Sequence, residues 1–98
     1  MRQKRKLQNY ATYHVTARAN RREYILLLPE MKDLFLQVLQ KAKQKYHFTF
    51  RNFVIMNNHI HFIIQPAENE SLSKIMQWIL SVFAIRFNKH FGYQGHVW

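Results

Sequence analysis

Two short β-rich runs, Phe53-Val-Ile-Met56 and His59-Ile-His-Phe-Ile-Ile64, stand on either side of Asn57-Asn58 and constrain this chain more than any other feature. Val, Ile and Phe favour extended backbone and an asparagine pair suits a two-residue turn with positive φ, so the spacing predicts a β-hairpin. Pairing across that turn sets Met56 against His59 and Val54 against His61, with Ile55 and Phe53 against Ile60 and Phe62. Successive side chains of a strand point to opposite faces. His59 and His61 therefore project one way, and Ile60 and Phe62 the other. One face of the hairpin is core; the other is free for chemistry.

Two histidines at strand spacing can share one metal ion, because neutral imidazole is a common ligand for divalent metals. Two ligands make a weak site that needs a third protein group. A pair of ordinary half-buried histidines is the alternative, and the surrounding chemistry has to decide.

Fifteen Lys and Arg against five Asp and Glu give a formal net charge of +10. Such a field favours polyanions. Arg2, Lys4, Arg5, Lys6, Arg18, Arg21 and Arg22 crowd the start of the chain, and nucleic acid is the partner they fit. A solvated basic tail and a membrane-surface segment are the competing readings, the second opposed by the lack of an apolar helical face. The absence of cysteine excludes a disulfide framework, a thiolate metal site and a cysteine nucleophile. With neither a secretory signal nor an apolar run long enough for a membrane span, a cytoplasmic location is expected.

The 98 residues make a single domain, 1–98, with a basic arm over residues 1–9. A first strand is expected over Tyr10–Arg18, Tyr13, Val15 and Ala17 on one face and His14, Thr16 and Arg18 on the other. Asn20–Glu23 reads as a loop, and Tyr24–Leu28 as a short apolar segment. Pro29-Glu30 opens a helix whose buried stripe is Met31, Leu34, Phe35, Val38, Leu39, Ala42 and Tyr46, with Lys32, Lys41, Lys43 and Lys45 outside it. A second helix runs from an N-cap at Ser71 or Ser73 to about Phe91, where Gly92 stops it. Leu72, Ile75, Met76, Ile79, Val82 and Phe83 form its stripe. Trp78, Leu80, Ile85, Phe87 and Phe91 widen the apolar surface, so further chain or a second subunit should cover the excess.

Strand, helix, strand, strand, helix is the order of an α+β, ferredoxin-like (RRM-like) antiparallel sheet with two helices packed on one face. Gly95–Trp98 is placed to begin the last strand.

Three blocks resemble the IS200-like tyrosine transposases, particularly their REP-associated relatives: Tyr13–Arg22, Val54–Pro66 and Arg86–Trp98. The middle block, with its histidine-hydrophobic-histidine (HUH) strand, is the most diagnostic. The resemblance implies DNA transposition: enzymes of this family nick and rejoin single-stranded DNA beside hairpins with a divalent metal, Mg²⁺ or Mn²⁺, and a tyrosine nucleophile. It makes His59 and His61 the metal ligands and a homodimer possible. It places the nucleophile on a further helix, so the chain reads as truncated before the last strand and the tyrosine helix. Tyr93 is the tyrosine that follows the histidines here, in a Gly-flanked turn rather than on a helix. Tyr13 and Tyr46 read as core, Tyr10 and Tyr24 as strand-edge or surface aromatics.

Arg18, Arg21, Arg22, Arg86 and Lys89 are candidate DNA-phosphate contacts. His14 belongs on the polar sheet face rather than in the metal shell. His47 and His90 suit helix ends. A catalytically inactive module that binds a nucleic-acid hairpin is the alternative function. An unrelated metal hydrolase is opposed by the scarcity of acids, since only Glu68 and Glu70 follow the hairpin.

Overall fold

Alternation of polar and apolar residues in three segments builds a sheet with one covered and one open face. A computed structural model describes residues 11–19, 25–92 and 95–98. Its elements are β1 (Tyr13–Arg18), α1 (Pro29–Lys45), β2 (Phe48–Ile55), β3 (His59–Pro66) and α2 (Leu72–Phe91). The sheet order is β1-β3-β2, and β3 runs antiparallel to both neighbours. Ile60, Phe62 and Ile64 of β3 are fully buried. Phe35 of α1 stacks on Phe62 at 6.1 Å and meets Phe83 of α2 edge-on at 5.2 Å. Both helices thus cover the same sheet face, as the ferredoxin-like order predicts.

The hairpin has the expected register: Val54 pairs with His61, Phe53 with Phe62 and Ile55 with Ile60. Its turn departs from expectation, because neither Asn57 nor Asn58 has a positive φ; among the described residues the non-glycine that does is Asn69, at 75°. Tertiary bonds shape the turn instead. Ala19 N–H donates to the Asn58 carbonyl at 2.8 Å, and Leu26 N–H to the Asn57 carbonyl at 2.9 Å. The apolar segment after β1 supplies that clamp, with Ile25 and Leu26 buried and Leu27 and Leu28 exposed.

A bulge at Arg51 shifts the β2 register between Phe50 and Asn52. The extra residue reverses the parity of the strand, so Phe48 and Phe50 before it and Phe53 and Ile55 after it share the helix-covered side. The Arg51 guanidinium is held by Gln65 Oε1, at 3.1 Å from Nε and 2.6 Å from an Nη.

Both helix starts follow their sequence signals. Pro29 occupies the first turn of α1. Ser71 caps α2 by accepting from Lys74 N–H at 3.2 Å, and Gly92 ends it in the left-handed region at φ 73°. The broad apolar surface of α2 is largely internal: Phe87 is buried, and Trp78, Leu80 and Phe91 pack against the core. Ile85 is the exception, 67% exposed.

Gly95–Trp98 does not begin a strand. It folds back on α2, with Val97 buried and the Trp98 ring 5.6 Å from Phe83 and 6.3 Å from Phe35. Trp98 Nε1 donates to the Leu80 carbonyl at 2.9 Å, and Asn88 Nδ2 to the Gly95 carbonyl at 2.9 Å. Two side-chain bonds and an aromatic seat hold this short segment against the helix layer. Among the described residues no helix is long and apolar enough to cross a membrane.

Phe62→Ala removes a ring stacked between Phe35 and Phe50 and is expected to cost about 3 to 5 kcal/mol in chemical denaturation. Ile85→Ser, on the exposed side of α2, should change stability by no more than about 0.5 kcal/mol.

Candidate metal and nucleic-acid site

Burial of Ile60 and Phe62 forces their neighbours out through the other face of the sheet. His59 and His61 stand on that open face of the central strand, each half-buried. Their rings are 4.9 Å apart between centroids and nearly perpendicular, at 81°. Across the ladder, Arg18 pairs with His59 and Thr16 with His61. On the other side Val54 pairs with His61, and Met56 N–H bonds to the His59 carbonyl at 2.8 Å. His14 lies on the same face, as expected, with its ring 5.5 Å from that of His61.

Each ring has a polar partner at Nδ1. His61 Nδ1 is 3.0 Å from Thr16 Oγ1, and His59 Nδ1 is 2.8 Å from Asn58 Oδ1. The His59 pKa is lowered from the usual 6.5, first by desolvation, then by the charge of Arg18 and by repulsion between its own charged form and the neighbouring His61. Neutral imidazole, the form that binds metal, is favoured at His59. The donor set suits a divalent ion in its nitrogen chemistry, though not in number. Among the described residues no group of three or more His, Asp or Glu is placed to hold a metal. The described residues thus offer two candidate ligands, and any others would have to come from elsewhere, including solvent or substrate.

The candidate basic residues divide between two sides of the molecule. Arg18 stands beside His59 on the open face. Arg86 and Lys89 lie on α2, in the helix layer, where with Leu34 and His90 they line a shallow pocket. Arg21, Arg22 and Tyr93 lie outside the described residues, as do Tyr10, Tyr24 and the basic arm. Tyr13 is half-buried and packs against the core, and Tyr46 meets Trp78 edge-on at 6.3 Å. Neither shares the histidine face. His47 follows α1, where its backbone N–H donates to Glu70 Oε2 at 2.6 Å.

Sequence reasoning passed over Thr16 and Asn58. Thr16 could have been found from the first strand's alternation once β1 was placed beside β3. Asn58 signals a turn by its propensity, although a short amide next to a histidine can also serve its ring.

Comparison with known proteins agrees with this architecture. The fold is similar to that of a REP-associated tyrosine transposase bound to a REP hairpin, with a TM-score of 0.65 and 22% identity, over 91% of this chain and 54% of that one. It is also similar to a Deinococcus radiodurans R1 protein assigned as a transposase, with a TM-score of 0.66 and 15% identity, over 84% of this chain and 62% of the other. The chain therefore spans little more than half the length of these solved relatives, and at such identities the likeness is one of fold. None of the curated proteins matches the chain. The family model for IS200-like transposases matches residues 8–98, nearly the whole sequence. The chain belongs to the IS200-like transposase family.

Proposed function

We propose that this chain is the metal- and hairpin-binding part of a transposase that nicks and rejoins single-stranded DNA. The observation that carries the proposal is the placement of His59 and His61 on an open sheet face, in register with Arg18, in a chain of this family. The hairpin bound by the REP-associated relative supports the choice of DNA structure.

Under this reading His59 and His61 hold Mg²⁺ or Mn²⁺ through ring nitrogens. Such an ion supplies Lewis-acid polarisation of a phosphodiester and a fixed position for it. Arg18 contributes a charge-assisted bond to phosphate beside that position. Arg21 and Arg22 follow Arg18 in sequence as further candidate phosphate contacts, while Arg86 and Lys89 offer phosphate contacts on the helix side. Phosphate contacts position DNA and make its binding salt-dependent without reading bases.

The nucleophile is the separable half of the function. Tyr13 and Tyr46, the tyrosines among the described residues, both pack against the core. This favours a binding role for the described residues themselves, with the attacking hydroxyl supplied by Tyr93 or by a tyrosine-bearing helix of a longer protein.

Replacing both histidines (His59→Ala with His61→Ala) should abolish Mn²⁺ binding in calorimetry and leave the far-UV circular dichroism unchanged, because both rings face away from the core. Unchanged Mn²⁺ affinity would overturn the site. Arg18→Ala should weaken hairpin DNA about equally for different sequences and reduce the slope of log K against log salt by about 1. With Mn²⁺ and a hairpin-flanked single strand, Tyr93→Phe should leave binding unchanged; a covalent protein–DNA adduct lost in that variant would assign the nucleophile to Tyr93.

A further inference from the structure

Both candidate ligands are engaged at the same ring nitrogen by residues that have no assigned role. His59 Nδ1 lies 2.8 Å from Asn58 Oδ1, and His61 Nδ1 lies 3.0 Å from Thr16 Oγ1. An amide oxygen only accepts, so the hydrogen between Asn58 and His59 belongs to the imidazole. A neutral ring protonated at Nδ1 carries its lone pair on Nε2. A hydroxyl can donate or accept, so Thr16 is able to accept the same kind of bond from His61.

The acceptors are mounted on backbone that is itself bonded to neighbouring chain. Thr16 sits in the β1–β3 ladder directly opposite His61. Asn58 is gripped through its own carbonyl by Ala19 N–H at 2.8 Å, and the adjoining Asn57 carbonyl by Leu26 N–H at 2.9 Å. Ala19 and Leu26 are themselves buried. The orientation of each imidazole is thereby tied to the core. Such partners matter because free neutral histidine prefers the opposite tautomer, with the hydrogen on Nε2. A metal-binding histidine commonly donates its second ring N–H to a fixed acceptor, which sets both tautomer and ring direction.

We infer that Thr16 and Asn58 are positioning residues that hold His61 and His59 in the Nδ1–H tautomer, leaving both Nε2 lone pairs open to one divalent cation. The inference rests on the metal reading above, but the tautomers are a property of the protein without metal.

Long-range ¹H–¹⁵N spectra of the imidazoles in metal-free, histidine-labelled protein test it directly. Both rings should show Nδ1–H and an unprotonated Nε2. Thr16→Val, a near-isosteric change at an exposed strand position, should move His61 to the Nε2–H form and leave His59 unaltered. It should also weaken Mn²⁺ binding, read by electron paramagnetic resonance, about 10- to 100-fold. Thr16→Ser should restore tautomer and affinity together. Asn58→Ala should have the same effect on His59 alone. An Nε2–H ring at either position in the unsubstituted protein would overturn the inference. So would a Thr16→Val variant that loses Mn²⁺ while His61 keeps its tautomer, since Thr16 would then act only through the fold. If both rings are Nδ1–H and respond as stated, yet the unsubstituted protein binds no Mn²⁺, the positioning stands and the metal reading falls.

Discussion

Everything on the open face depends on the burial of Ile60, Phe62 and Ile64 on the other. Each such side chain contributes about 1.5 to 3 kcal/mol when removed from water. Phe62 is the most committed, stacked on Phe35 at 6.1 Å and Phe50 at 5.1 Å. A slip of one residue in the β3 register would turn these three outward and drive the histidines into an apolar core. The same register that holds the two layers together therefore fixes the direction of His59 and His61. Stability and site geometry are one constraint, set by the period of a strand.

The strand alone would leave the histidine rings free to turn. The rest of the site comes from two pieces of chain that reach it separately. β1 brings Thr16 and Arg18 opposite His61 and His59. The segment after β1 reaches the turn through Ala19 and Leu26, whose N–H groups bond the Asn58 and Asn57 carbonyls. That turn has no need of the left-handed conformation an isolated Asn-Asn hairpin would favour, because bonds from buried Ala19 and Leu26 replace the local preference. A tertiary contact overrides turn propensity at the residue that also touches His59.

The hairpin, both helices and the face of each strand were legible because each rests on a short-range period or punctuation mark. Pro29, Ser71 and Gly92 mark helix ends where the backbone needs those residue types. The Arg51 bulge left a trace as well, since Phe48 and Phe50 share parity with each other but not with Phe53 and Ile55. It is recognisable only when the strand's two halves are required to face the same core. The destination of Gly95–Trp98 was hidden, because it depends on a Leu80 carbonyl and two aromatic rings brought together by the helices. The breadth of α2 misled for the same reason. Trp78, Leu80, Phe87 and Phe91 look like surplus on a helical projection, yet Phe87 is buried and the other three are partly covered by neighbours in space. At the site, the histidine pair was readable from its spacing. Its partners were not, because Thr16 and His61 are distant in sequence and meet only through β-pairing.

The charge around the histidines bears on what they can bind. Arg18 lies beside His59 and lowers its pKa, which favours the neutral ligand form. The same positive charge repels a bare cation, and Asp and Glu are absent from the paired residues of this face. Two neutral imidazoles beside a guanidinium would hold a cation alone less tightly than a site with acidic ligands. A phosphodiester changes that balance. Under the proposed function its negative charge would pair with Arg18 and offset the repulsion of the ion, so metal and DNA would each improve the place for the other. Linkage makes that improvement reciprocal: whatever factor the DNA adds to metal affinity, the metal adds to DNA affinity. Under the proposed function, a site this short of acidic ligands is selective through its substrate. On that reading a metal would be held best with a phosphate beside it.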